Sequence, residues 1–259
     1  MGLMMPRKKP KADSKTIMPV PAPLLIWLKA VYKFHTYAYR DPRSAFASAM
    51  GSPVVSPTTV LLGIASTLFS IGKACEAKAF LDIAQHCKVV VDAPDGVIFF
   101  RAFHQLRRYE TGEMKVKKEK YKPNERIGLT KINQGTREYG LVEGQIILYV
   151  GIPEEHYEAV KLALTNLGHL GTHDSMCSLI GNAEKCSKPD NVVYIPPEQW
   201  KTSIPSDSTA VTLSRFKNGD IKPTLPNWWI AGGDDTEQVP YFIKGHFEGT
   251  TKGKIYKKH

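Results

Sequence analysis

The chain has 259 residues, 42% of them hydrophobic, and a formal net charge of +10. That length and apolar content suffice for a packed core in one large domain or two small ones. No apolar run reaches the ~18 residues needed to cross a bilayer, and the longest, Val60 to Ile71, is interrupted by Gly63, Ser66, Thr67 and Ser70.

The first 23 residues are Lys-rich and then Pro-rich, a composition that buries too little apolar surface to fold alone, so a disordered tail is expected over 1–23. Pro19, Pro21 and Pro23 precede a short apolar run soon followed by Lys29, which makes a poor secretory signal, and the chain reads as cytoplasmic with no membrane partner. Four cysteines, Cys75, Cys87, Cys177 and Cys186, form no CxxC pair and read as reduced thiols.

From Leu24 the parity is that of a half-buried strand. Leu24, Ile26, Leu28, Ala30, Tyr32 and Phe34 fall on one face, and Trp27, Lys29, Lys33 and His35 on the other. A wet face that is basic and partly aromatic suits single-stranded nucleic acid, whose bases stack and whose phosphates need cations. A loop follows, with Tyr37, Tyr39, Arg40 and Arg43 in a Pro/Gly/Ser-rich setting.

Ser56 to Gly72 predicts a helix with Ser56 as N-cap, Pro57 at its first position and Gly72 past its end. Val60, Ile64, Leu68 and Ile71 mark its buried stripe, and Gly63 in its interior predicts a close neighbour, because an unconstrained Gly there costs about 1 kcal/mol relative to Ala. The amides from Ser56 to Thr59, at the positive end of the helix, can hold a phosphate or simply be capped. A second helical piece runs from Ala74 to His86. Lys88 to Asp92 and Val97 to Arg108 read as two strands of one hairpin around Ala93-Pro94-Asp95-Gly96.

Arg101 to Gly140 is the most charged internal stretch: eleven Lys or Arg against five Glu, a net +6, while the first 22 residues carry a net +4. The excess therefore sits in one arm and one tail, as expected for capture of a polyanion, RNA first among the candidates. Strand-like runs, VIFFRAF and GQIILYV, bracket the arm, which makes it a long excursion between two strands rather than a solvated connection. The RNA-binding residues expected from this reading are Lys29, Lys33, His35, Tyr37, Tyr39, Arg40, Arg43, Ser56, Thr58 and Thr59, and in the arm Arg101, Arg107, Arg108, Lys115, Lys117, Lys118, Lys120, Lys122, Arg126 and Arg137.

Gln145 to Val150 is a nearly continuous apolar strand, and Pro153-Glu154-Glu155 opens a helix with acids in its positive first turn. Tyr157, Val160, Leu164 and Leu167 are its core stripe, and His173 to Ile180 makes a closing strand. Strand, helix, strand, strand, helix, strand is the ferredoxin-like order. The expectation is an α+β, ferredoxin-like (RRM-like) domain over 24–185 with a basic thumb inserted at 109–136. A smaller β-rich part follows over 186–259, where Val192 to Ile195, Ala210 to Phe216 and Tyr241 to Lys244 are strand candidates. The RNP consensus of an ordinary RNA-recognition motif is missing.

Three other arrangements carry less. His169, His173, Cys177 and Cys186 have metal-like spacing only on an unbroken helix, which Gly168 and Gly171 interrupt, so no metal and no cofactor are expected. His35, Tyr37, Tyr39 and His104 are the residue types a metal-independent ribonuclease uses for acid–base work on a 2′-hydroxyl. Gly232-Gly233-Asp234-Asp235 resembles the metal hairpin of palm-type cyclases but lies outside the ferredoxin-like part, away from any second carboxylate-bearing strand. No Walker spacing and no nucleophile elbow is present.

Three segments taken together, SPTTVLLGIASTLFSIG, REYGLVEGQIILYVG from Arg137 and LGHLGTHDSMCSLIG from Leu167, resemble in order and spacing the Cas-five family of CRISPR-associated RAMP proteins. The match spans Leu24 to Ile180; the glycine-rich loop of related RAMP proteins is degenerate here as Gly168, Gly171 and Gly181. The resemblance implies a non-catalytic subunit of a type I Cascade complex that grips the 5′ handle of the crRNA and caps the backbone filament, with a backbone subunit, a large subunit and, through the complex, target DNA as partners. It maps the thumb, which presses between guide nucleotides, onto Tyr109 to Thr136, and the handle contacts onto the loop Tyr37 to Pro57 and onto Thr58 and Thr59. The alternatives are an endoribonuclease that processes precursor crRNA, or a general RNA-binding protein.

Overall fold

The computed structural model describes residues 24–39, 51–110, 115–116, 119–120, 127–172, 174–189, 194–196, 198, 206–217, 236–250 and 253–259, with backbone alone for 104–110, 115–116, 119–120, 127–137, 194 and 250. Strand β1 (Leu25–Phe34) has the predicted parity from Leu28 on, with Leu28, Ala30 and Tyr32 fully buried and Phe34 at 6% exposure, whereas Leu24, expected on the same face, precedes the strand and is exposed because no neighbouring strand pairs there. Helix α1 (Pro57–Ser70) starts behind Ser56 and buries Val60, Ile64 and Leu68, while Ile71 lies just past its last turn and is exposed, so the stripe is one residue shorter than its period implies. Leu61 and Ala65 complete the buried side. A Cβ on Gly63 would meet Leu170 Cδ2 at 3.0 Å and Leu167 Cδ1 at 3.4 Å, which is the close neighbour the glycine predicts.

Helix α2 (Ala74–Ile83), closed by a single tight turn over Ala84–His86, leads into β2 (Lys88–Asp92). Next come β3 (Gly96–Glu110), the short pair β4 (Lys115–Val116) and β5 (Glu119–Lys120), β6 (Ile127–Glu143) and β7 (Ile146–Pro153). Helix α3 (Tyr157–Asn166) and strands β8 (Cys177–Leu179) and β9 (Glu184–Cys186) follow. The main sheet has the order β2-β7-β1-β8, with β9 also on β1, and its β1–β7, β1–β8 and β2–β7 pairs are antiparallel. With β7 counted as the third strand, this is the ferredoxin-like βαββαβ arrangement.

One pairing differs from the sequence expectation. β2 and β3 do not form a hairpin: β2 pairs with β7, and β3 leaves for a second sheet ordered β13-β14-β3-β6. Ala93 and Pro94 are buried, so the stretch before Asp95-Gly96 is a packed crossing between sheets rather than an exposed two-residue turn. The sequence shows that two apolar strands adjoin, but strand partnership is a long-range matter that a local turn signal does not decide.

The C-terminal strands are β10 (Tyr194–Ile195), β11 (Ser208–Phe216), β12 (Thr236–Lys244), β13 (His246–Thr250) and β14 (Gly253–Lys257). β10, β12 and β11 make a third sheet, and β14 pairs with β3. Val211, Leu213, Tyr241, Ile243 and Tyr256 belong to the same hydrophobic cluster as Leu28, Val60 and Leu148, so the C-terminal residues are part of the central core. Two polar ties cross it. The Tyr32 hydroxyl donates to the Leu164 carbonyl in the last turn of α3, where carbonyls lack intrahelical donors, and Thr58 Oγ1 donates to the Ser214 carbonyl at 3.1 Å. Among the described residues no helix is long and apolar enough to cross a membrane.

Candidate nucleic-acid interface

The basic arm is a β-ribbon. β3 and β6 pair antiparallel from Gly96↔Glu143 to Arg108↔Lys131, and after a register shift Glu110 pairs with Ile127. Beyond this, β4 and β5 pair Lys115 with Lys120. The pairing therefore begins well before Tyr109 and ends after Thr136. At ~3.3 Å per residue, the 15 residues of β3 reach about 50 Å from the base. A two-stranded ribbon is marginal alone, and this one is rooted: Val97 (0% exposed) and Phe99 (2%) enter the core, and β14 backs β3.

At the root, Glu138 is nearly buried. Its Oε2 accepts from the Gly51 amide and stands 3.5 Å from Lys254 Nζ, which donates to the Gly51 carbonyl at 2.7 Å. The Gly140 amide donates to the Tyr37 carbonyl at 2.7 Å, and the Ser52 amide to the Tyr39 carbonyl at 3.1 Å. Both ends of the segment bearing Arg40 and Arg43 are thus tied beside the thumb base.

The open face of the main sheet is read from register. Lys29 lies between Tyr149 on β7 and Glu184 on β9, Tyr149 faces Val90 on β2, and Lys88 faces Gly151. Lys33 is exposed opposite Ser178. Tyr149 is held above the usual phenol range by burial first, then by the Asp92 carboxylate and the Cys186 thiol, so it presents a neutral, half-buried ring. Lys88 and Tyr149 were invisible to a reading of β1 alone, and pairing parity is the signal that finds them. Trp27 is a correction: it is only 8% exposed and lies on Gly151, where a Cβ would come within 2.9 Å of its ring. Its indole is packed and is not a stacking surface.

Several expected contact residues lie in the core. Tyr37 is 1% exposed and its hydroxyl donates to the Ser52 carbonyl at 2.7 Å. Ser56 and Thr58 are buried, with Ser56 Oγ accepting from the Ser214 amide at 2.9 Å and from the Tyr39 hydroxyl at 2.6 Å. The start of α1 is thus covered by β11 and Tyr39, and the hydroxyls expected on a phosphate bind protein instead. Thr59 and Tyr39 are half-buried, their hydroxyls 3.2 Å apart. His35 is exposed and bonds Ser178 Oγ through Nε2 at 2.9 Å. Of the residues considered for acid–base work, Tyr37 donates to the Ser52 carbonyl and Tyr39 to Ser56 Oγ, and the side chain of His104 lies outside the described residues. Cys177 is buried and its thiol is pushed up to about 12 by burial, His169 bridges Met176 through the backbone, and His173 lies outside the described residues.

Arg101 is exposed on the ribbon. Backbone register places Arg107, Arg108, Lys115, Lys120 and Arg137 on its paired strands, their side chains lying outside the described residues. Arg40, Arg43, Lys117, Lys118, Lys122, Arg126, the tail 1–23, Trp228-Trp229 and Gly232 to Asp235 also fall outside them.

No family model and no curated protein matches this sequence. Among the solved structures to which the chain is similar is a CRISPR protein from Archaeoglobus fulgidus. The two align at a TM-score of 0.41 with 11% identity, over 90% of this chain and 92% of that one.

What the arrangement can do follows from its own geometry. A long basic ribbon stands on a rigid root between the second and third strands of a ferredoxin-like sheet, and Lys29, Lys33 and Lys88 lie on that sheet. Phosphates at several separated points of one extended polyanion can be met at once.

Proposed function

We propose that this chain is the non-catalytic RNA-binding subunit of a CRISPR type I Cascade effector complex, gripping the 5′ handle of the crRNA and capping the backbone filament. The observation that carries the proposal is the paired basic ribbon inserted between the second and third strands of a ferredoxin-like sheet, which is where the family resemblance puts a thumb. In this reading the loop Tyr37 to Pro57, with Arg40 and Arg43, supplies handle contacts, and the ribbon reaches along the guide toward the backbone and large subunits and the target DNA. Tyr37, Ser56 and Thr58 act as its rigid floor. The engagement of the Tyr37 and Tyr39 hydroxyls in packing favours binding over cleavage, with no cofactor and no metal required.

The test is to purify the chain with its co-expressed partners and sequence the bound RNA. One guide species with a fixed 5′ end supports the proposal; a mixed population points to a general RNA-binding protein. Incubation of the chain with precursor repeat RNA in EDTA leaves the RNA intact, whereas specific cutting lost on His35→Ala would establish the ribonuclease reading.

A further inference from the structure

The outward face of the thumb base is built differently from the core face behind it. Register sets Ile98 opposite Leu141 and Phe100 opposite Tyr139. Ile98 is 50% exposed, Leu141 59% and Phe100 40%, although Val97 and Phe99, which alternate with Ile98 and Phe100 along β3, are core. The Phe100 and Tyr139 rings stack, with centroids 6.1 Å apart and planes at 26°. On the other side of Phe100, β14 places Gly253 opposite it, so no side chain from that position stands against the ring. Contiguous exposed apolar surface of this kind marks a binding face.

Two features select the occupant. The first is rigidity. The Tyr139 hydroxyl donates to Asp174 Oδ2 at 3.2 Å, and the Asp174 segment is itself tied down where Ser175 Oγ accepts from the Ala38 amide at 2.9 Å. A ring fixed at its tip and stacked on a neighbour is oriented before anything binds, which lowers the entropy lost on association. The second is charge. The next register pair outward on the same ribbon face is Ala102 with Arg137, and the whole arm carries a net +6. Same-face residues recur every ~7 Å along a strand, a step that one nucleotide of an extended single strand spans. A flat aromatic surface continuous with a cationic ribbon is complementary to unpaired bases on a phosphate backbone.

We propose that the Phe100–Tyr139 face is a stacking platform for an unpaired nucleobase of single-stranded RNA, seated where the strand passes from the thumb base onto the ribbon. The proposal rests on the RNA-binding reading above and adds to it a site with a shape requirement. Binding by the full chain is measured by fluorescence anisotropy with labelled adenylate and uridylate oligomers of equal length, at several salt concentrations. Base–aromatic stacking is worth about 1–3 kcal/mol per base, so Phe100→Leu weakens binding by about 5- to 150-fold. The salt slope stays unchanged, because no phosphate contact is removed. Phe100→Trp, which keeps an aromatic surface at an exposed position, restores affinity. Adenylate, the better stacker, binds wild type more tightly than uridylate, and Phe100→Leu narrows that difference.

Equal affinity of wild type and Phe100→Leu for both oligomers overturns the platform while leaving the RNA-binding reading in place. Absence of salt-dependent binding by wild type overturns both. If Leu141→Ser and Phe100→Leu leave RNA affinity unchanged and instead block assembly with partner subunits, the face docks protein and the proposal is wrong.

Discussion

Lys254→Met tests how the thumb is rooted. The Lys254 ammonium lies over the rings of Phe99 (4.7 Å) and Phe247 (5.0 Å), donates to the Gly51 carbonyl at 2.7 Å and stands 3.5 Å from the Glu138 carboxylate. Side-chain exposure is 18% for Lys254 and 5% for Glu138, so the pair does not belong with surface ion pairs, whose median worth is about 0–1 kcal/mol. Methionine keeps most of the apolar stem over Phe99 and removes only the charge and its hydrogen bonds. What remains is a nearly buried carboxylate whose remaining described partner is the Gly51 amide. Removing one member of a buried pair costs about 3–5 kcal/mol; the residual exposure of Lys254 puts the expectation at the lower end, about 3 kcal/mol. For a chain of this size that is a fall in Tm of roughly 6–12 °C. Urea unfolding of wild type, Lys254→Met, Glu138→Gln and the double variant closes a cycle. The coupling should be at least ~1.5 kcal/mol, with the double variant more stable than the sum of the singles allows. A Lys254→Met protein within ~0.5 kcal/mol of wild type, or strictly additive singles, would refute the reasoning and reduce the cluster to a solvated contact.

Other outcomes are expected from the same geometry. Tyr32→Phe strands the Leu164 carbonyl in a buried place and should lower stability by about 1–3 kcal/mol in the same urea assay; no change would mean that water or another donor reaches the carbonyl. Burial pushes Cys87 and Cys177 up to about 12, whereas an unfolded thiol ionises near ~8.5. The folded state therefore keeps protons that the unfolded state loses, and stability is full below the unfolded value and falls as pH rises toward 12, by up to about 1.4 kcal/mol per pH unit per group. Iodoacetamide at pH 8 should modify exposed Cys75 and spare Cys87 and Cys177; equal rates at all three, or an unfolding midpoint flat to pH 10.5, would contradict this. Replacing Lys115, Lys117, Lys118, Lys120 and Lys122 with Ala should flatten the salt dependence of RNA binding by at most ~3.5, since each phosphate contact on a single strand contributes ~0.7. An unchanged slope would remove these five lysines from the interface.

The sequence by itself determined whatever depends on local period and composition. The parity of β1, the start of α1 at Pro57 behind Ser56, the demand of Gly63 for a close neighbour, the ferredoxin-like order and the position of the charge excess are all legible in it, because side chains three or four apart on a helix and two apart on a strand share a face whatever the partner is. The tertiary structure decided the partners. Nothing near Asp95-Gly96 says that β3 pairs with β6 and β14 instead of β2, since that choice is made by strands that arrive some 30 and 150 residues later. The same long-range packing buries Tyr37, Ser56 and Thr58, which the sequence offers as contacts, lays Trp27 on Gly151 and brings Lys254 to the root of the ribbon. A polar or aromatic residue reads alike in sequence whether it meets solvent or a strand far along the chain; its burial is settled only when that strand is in place.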